Sequence, residues 1–268
     1  MPTGAVFITM MEKEEIIEQL QTLPYYKDVF VVSFRGSVAH NMYLPPEDPS
    51  SVDDQDIVMG VVPPIDHYFG LRKFGNRGTK ETWMGSLDIV TYEATKMISL
   101  LAQGNPNIFS LLWTKDEHFL YRHPVFKTLQ GERQLFVGKH VYKSFSGYAS
   151  AQIYKMEHSA YEGHMGTKRK ELVDKHGYDC KNAAHAIRLL RMGCEFLTTG
   201  ELQVYRQYDR QELLDIKTGK WTLEQVKSES RRLFDAHREV YETCSLPDDV
   251  NYDDINSLSV DMLRRWFL

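Results

Sequence analysis

Gly36-Ser37, Asp54-Gln55-Asp56 and Asp88 are the residues whose types and spacing could do chemistry. Gly36-Ser37 ends the apolar run Val29–Phe34. Asp54-Gln55-Asp56 opens a second apolar run, and Asp88 sits inside a third, Leu87-Asp88-Ile89-Val90. Strand residues two apart point to one face, which makes Asp54 and Asp56 neighbours. Two carboxylates held that close repel unless a cation lies between them. A third Asp on an adjacent strand completes an all-oxygen site suited to Mg²⁺. Gly36 lets the backbone approach a ligand, and Ser37 adds a hydroxyl and an N–H at a helix start, a cradle for phosphate. Taken singly, a Gly-Ser is a turn and an Asp-x-Asp is a solvated strand end or cap. Asp88, flanked by apolar residues, needs a partner wherever it is buried. The order of the three segments joins them into the equipment of phosphoryl or nucleotidyl transfer.

The elements that must position these groups are legible in outline. Residues 14–20 carry Ile16, Ile17 and Leu20 at helical spacing, and Leu23-Pro24 ends that helix. Val29–Phe34 is almost wholly apolar, as suits a central strand covered on both faces. A Pro-rich loop over 44–52 delivers Asp54 to a strand over 56–62, which Pro63-Pro64 closes. Residues 65–82 are the least regular stretch, with Arg72, Lys73, Arg77 and Lys80 spaced by Gly70, Gly75 and Gly78. This is either a basic loop able to close over a triphosphate beside the carboxylates, or a solvated surface loop. A helix follows over 94–103, and Asn105-Pro106 supplies a cap and first residue for the next one.

From about Tyr142 strand signals vanish. Residues 181–198 form the clearest amphipathic helix, with Gly200 as its stop. Its apolar side carries Ala183, Ala186, Leu189, Leu190 and Leu197, and Lys181, His185, Arg188 and Arg191 share the other, with Glu195 as counter-charge. That stripe is either a wet helix face or a cleft wall that contacts nucleotide or acceptor. His40, just after Gly36-Ser37, is a further candidate phosphate contact, and Gln152 and Lys155 share a helix face toward the same cleft. Tyr148, Tyr154 and Trp113 read as core, and Asp53 points away from Asp54. Thr222 with Gln225 is a capping-box pattern, and a last helix uses Ile255, Leu258, Met262 and Trp266.

Gly36-Ser37, Asp54-x-Asp56 and Asp88 in this order resemble the DNA polymerase beta superfamily of nucleotidyltransferases, and most closely the RlaP-like members of bacteria and their phages. Further matches are Gly104-Asn105-Pro106-Asn107 before Leu111-Leu112, Gly147-Tyr148-Ala149 with Gln152, and the helix His185-Ala186-Ile187-Arg188-Leu189-Leu190-Arg191. Val38 and Asn41 depart from the pattern, standing where a basic or small residue and a glycine are common. The resemblance runs from about Val29 to the C-terminus. It implies an α+β chain: a nucleotidyltransferase domain with a mixed sheet over 1–115, a connecting segment over 116–141 and a helical domain over 142–268. It implies two ions of Mg²⁺ or Mn²⁺ on Asp54, Asp56 and Asp88, which are then both metal ligands and catalytic residues. A nucleoside triphosphate such as ATP would be held by Gly36, Ser37, His40, Lys181, His185 and Arg188. The acceptor is a protein hydroxyl, an RNA end, a small molecule or a nucleotide. The competing reading is a nucleotide-binding regulator, or half of a toxin–antitoxin-type pair, with the same fold and little turnover.

Composition narrows the classes. The 268 residues, 42% hydrophobic and 26% charged, suit a globular protein with a substantial core. A net charge of −5 argues against strong duplex DNA binding, though not against an RNA end in a locally basic cleft. Cys180, Cys194 and Cys244 are odd in number and lack metal spacing, as in a reducing compartment. No apolar run reaches membrane length, and residues 1–11 lack the basic start and apolar core of a secretory signal. The expected location is the cytoplasm.

Overall fold

The computed structural model describes residues 11–158 and 166–268. The leader reading, made on the first residues, lies almost wholly outside them. Five strands form one mixed sheet: β1 Val29–Phe34, β2 Gln55–Val61, β3 Thr79–Met84, β4 Leu87–Glu93 and β5 Phe119–Arg122, in the order β3-β4-β2-β1-β5. Only β2 and β4 run parallel. The helices are α1 Lys13–Gln21, α2 Gly36–Ala39, α3 Asp66–Phe69, α4 Ala94–Ala102, α5 Pro106–Phe109, α6 Pro124–Gly131, α7 Val141–His158, α8 Thr167–His176, α9 Cys180–Thr199, α10 Arg210–Lys217, α11 Leu223–Thr243 and α12 Tyr252–Phe267. The chain is α+β, and among the described residues helices are the only regular elements after β5.

β1 is apolar except for Ser33 because both its faces are covered, and every residue of it is buried. On one face Val32 and Phe34 pack with Ile57, Met59, Leu87 and Ile89 beneath Ile16 and Leu20 of α1. On the other, Phe30, Val31 and Val58 belong to a single cluster that continues through Phe109 and Phe145 to Leu190 of α9. A register slip between Val29 and Val31 lets Phe30 and Val31 turn to the same side. The carboxylate-bearing face of the sheet therefore looks toward the helices.

Local signals are kept where they were strong. Asn105 accepts the Asn107 N–H ahead of α5, and Thr222 and Gln225 form both bonds of the capping box. Gly200 ends α9 in the left-handed region at φ +72°. Two edge strands were not legible. β3 lies in the stretch read as irregular, and β5 lies in the segment read as a connector. Each is short and open on one side, so neither carries a clean apolar alternation. Tyr154, expected in the core, is exposed and stacked on His158. Among the described residues no helix is long and apolar enough to cross a membrane.

α11 crosses α9 at His237. Its ring is fully buried, beside Tyr142 of α7, and its Nδ1 meets Ser146 Oγ at 3.1 Å. A Cβ on Gly193 would come 2.6 Å from Nε2, so glycine sets the approach of the two helices. Nε2 has no hydrogen-bond partner among the described residues, and burial pushes the imidazole down to about 4. The folded state thus binds this proton more weakly than the unfolded chain. Stability should be full above about pH 6.5 and fall by about 3 kcal/mol as pH drops toward 4. Urea midpoints across that range test this. In His237→Gln, uncharged throughout, the acid loss should shrink, and an unchanged loss would assign it to other groups.

Candidate active site

The chain leaves β1 through Arg35 and turns at Gly36, whose φ is +59°. A Cβ there would lie 2.1 Å from Asp56 Oδ2. Glycine is required because the backbone passes against a carboxylate in a conformation that L side chains rarely adopt. Next to it, the Ser37 hydroxyl is buried with no hydrogen-bond partner among the described residues. α2 then ends at His40, whose Nδ1–H donates 2.8 Å to the Val204 carbonyl, leaving Nε2 as its acceptor nitrogen. Burial, and then Arg188, holds this imidazole well below its usual range.

Asp56 and Asp88 are register partners on the parallel strands β2 and β4, so their side chains leave the same face. One nitrogen of Arg35 lies 3.1 Å from Asp88 Oδ2 and 3.6 Å from Asp56 Oδ1. Burial raises the Asp56 carboxyl to about 6; Arg35 and Lys181 oppose that rise, and Asp88 and Asp54 add to it. Asp54 is exposed, on the loop ahead of β2. Its pKa is raised by burial first, against Lys181, with Asp88 and Asp53 adding. The expected convergence of three carboxylates is thus only partly formed. Among the described residues no three His, Cys, Asp or Glu side chains converge on one point. The ladder that fixes Asp56 against Asp88 begins at Gln55, one residue too late to hold Asp54.

The stripe on α9 faces this site. Lys181, His185 and Arg188 line a cleft of about 210 Å³ together with Gly36, Ser37 and Asp56. Arg188 is buried and, among the described residues, forms no ion pair and has the Met192 sulfur, at 3.7 Å, as its one hydrogen-bond partner. Burial pushes its guanidinium down to about 9; Arg206 adds to that, while Asp209 and Asp56 pull it back. Burial, Arg188 and Lys181 hold His185 well below its usual range. Lys181 donates 2.9 Å to the Val52 carbonyl and pairs with Asp53 at 3.5 Å. Arg191, fourth in the stripe, turns away to Asp209, Glu212 and Glu229. Glu195 serves Arg206 instead.

Three residues of this neighbourhood were not singled out in the sequence. Arg35 stands directly before Gly36-Ser37, a position that could have drawn attention. Lys217, buried on α10, contacts the Met42 carbonyl and Asp53, but nothing local marks it. Arg206, 5% exposed, holds both Glu195 and Asp209, and its N–H donates to the His40 carbonyl. The basic segment 72–80 lies elsewhere. Thr79 pairs with Tyr92, at the far end of β4 from Asp88, so this segment enters the sheet opposite the carboxylates. There Arg72 pairs with Asp66 and Lys80 lies over the Tyr25 ring.

Residues 36–261 match the family described as "RlaP: RNA repair pathway DNA polymerase beta family". The chain belongs to this family. Membership puts it among the DNA polymerase beta-type nucleotidyltransferases. No curated protein matches. Among solved structures it is similar to a nucleotidyltransferase-like protein from Exiguobacterium sibiricum 255-15. That match has 9% identity and a TM-score of 0.32, and covers 86% of this chain and 74% of that one. Asp56 and Asp88, in register beside the buried Ser37 hydroxyl, are hard oxygen donors of the kind that suits the divalent metal typical of nucleotidyltransferases.

The Gly36–Asp56 approach predicts a measurable coupling. Gly36→Ala should cost about 2–4 kcal/mol, from backbone strain plus the clash. In an Asp56→Ala background the same change should cost only about 1–2 kcal/mol, the strain alone. Equal costs in a denaturation cycle would show that the carboxylate does not set the need for glycine.

Proposed function

We propose that this chain transfers a nucleoside monophosphate from a nucleoside triphosphate to a hydroxyl acceptor and releases pyrophosphate. The acceptor hydroxyl gives up its proton, to Asp88 or to water, and its oxygen forms the new bond to the α-phosphorus, while the bond from the α-phosphorus to the α–β bridging oxygen breaks and its electron pair leaves with pyrophosphate. The observation that carries the reading is the meeting, across one cleft, of Asp56, in register with Asp88, and a buried guanidinium, Arg188, that no described carboxylate pairs with directly. A buried charge without a counter-ion is costly, and an anionic ligand removes the cost. Gly36 and the free Ser37 hydroxyl would take the terminal phosphates, with Lys181 and Arg188 on the side facing them.

Asp54, Asp56 and Asp88 would hold two ions of Mg²⁺ or Mn²⁺, for which Arg35 would withdraw and Asp54 turn inward. Bound there, the metal supplies charge neutralisation on the phosphates and lowers the pKa of the acceptor hydroxyl. His40, kept neutral by burial, can accept a hydrogen bond at Nε2, and His185 borders the same space. In this reading residues 1–115 form the catalytic domain, 116–141 connect, and the helical domain 142–268 supplies the cationic wall. The free thiols Cys180, Cys194 and Cys244 favour a cytoplasmic setting.

Incubation with each α-labelled triphosphate and Mg²⁺ or Mn²⁺, followed by identification of labelled product, tests the reaction. Product with wild type and none with folded Asp56→Asn is expected. Tight triphosphate binding without any product would instead favour a regulatory protein. Arg188→Met should weaken triphosphate binding about tenfold or more while leaving stability equal or higher, because a buried unpaired charge is replaced by an apolar chain of similar length. Lost stability with unchanged affinity would remove Arg188 from the site.

A further inference from the structure

Trp83 is the cross-strand partner of Asp88 on the antiparallel pair β3/β4, so its side chain leaves the same face of the sheet. The register then runs Trp83, Asp88, Asp56 in one row across three strands, at about 4.8 Å per strand. The opposite parity of β3 confirms the direction. Lys80 lies over the Tyr25 ring, Thr82 Oγ1 is 3.4 Å from the Tyr25 hydroxyl, and Met84 packs in the cluster beneath α1. Trp83 therefore points to the carboxylate side, where it is 67% exposed. The other tryptophans, Trp113, Trp221 and Trp266, pack against the main core. The two-residue hairpin from Met84 to Leu87 fixes the backbone beside it.

The order of strands gives this ring a role. β1 and its Gly36-Ser37 turn lie on one side of Asp56/Asp88, and β3 with Trp83 lies on the other. In an in-line phosphoryl displacement the leaving group and the attacking oxygen sit on opposite sides of the phosphorus. A triphosphate held at Gly36-Ser37 puts its pyrophosphate toward β1 and leaves the β3 side for the acceptor. An exposed indole there offers a flat, sequence-tolerant stacking surface. Glu81 on the same parity of β3, and Asp54 near the pair, are exposed carboxylates that discourage a densely phosphorylated approach from this side. A base-first approach suits both features.

We infer that Trp83 is the acceptor-side stacking platform, and that the acceptor carries an unpaired nucleobase next to its reacting hydroxyl. This rests on the transfer reading above. The base belongs either to a mononucleotide or to the last residue of a single strand.

Equilibrium titration of the full chain, without triphosphate, tests it. The probes are a single-stranded hexanucleotide, the same strand with an abasic terminal residue, and a nucleoside monophosphate. Wild type should bind the hexanucleotide or the monophosphate, and binding of the strand should weaken when its terminal base is removed. A response to the strand alone identifies a chain end as the source; an equal response to both shows that one nucleotide suffices. Trp83→Ala should weaken binding about tenfold or more, while Trp83→Phe, which keeps a ring, stays within about threefold. Triphosphate affinity should be the same in all three proteins. The inference is overturned if neither based probe binds, if the abasic strand binds as well, if Trp83→Ala binds normally, or if Trp83→Ala weakens triphosphate equally. Base-dependent binding with no transfer from any triphosphate would sink the transfer reading and leave the platform standing.

Discussion

Holding carboxylates side by side at the end of a largely buried sheet is the constraint on which the rest of this structure depends. Parallel register puts Asp56 and Asp88 on one face, and burial lifts Asp56 to about 6 even with Arg35 and Lys181 opposing. Repulsion of this kind is tolerable only where cations are supplied or recruited. Arg35 supplies one from the same strand exit, and its single nitrogen touches both groups. Gly36 follows because no side chain fits between the turn and Asp56.

The same charge logic joins the sheet to the helices. Asp53, with its side chain wholly buried, receives Lys217 from α10, Lys181 from α9 and the Leu44 N–H. Burial lowers the Lys217 pKa, with Asp53 opposing. Removing one partner of such a pair leaves an uncompensated buried charge, a loss of about 3–5 kcal/mol. His40 to Val204, and Arg206 to the His40 carbonyl, add a second seam close by. These polar ties join the loops after β1 and before β2 to α9 and α10, so they fix the cationic wall relative to the carboxylates.

Two buried arginines mark the difference between structure and site. Arg206 spends its guanidinium on Glu195 and Asp209 and is held strongly protonated by them. Arg188, nearly as buried and on the cleft wall, has no such partner among the described residues and is pushed down to about 9. Burial is shared; compensation is not. An imbalance of that kind is expected where a ligand completes the electrostatics.

The sequence by itself determined the parts that depend on neighbours in the chain. Apolar runs located β1, β2 and β4, caps located α5 and α11, and Gly-Ser and the lone Asp88 located the ends of the strands that matter. Helical spacing also put Lys181, His185 and Arg188 on one face. Tertiary structure alone decided which strand edges met, and so sent residues 72–80 to the far end of the sheet and left Asp54 outside the Asp56/Asp88 ladder. It also decided that Arg191 and Glu195 would be used elsewhere, and that Arg35, Lys217 and Arg206 would carry charges that no spacing announced. The physical reason is range. Periodicity and capping are set within one or two turns of chain, whereas register and charge pairing depend on segments up to 175 residues apart, as in the bond from Lys217 to the Met42 carbonyl.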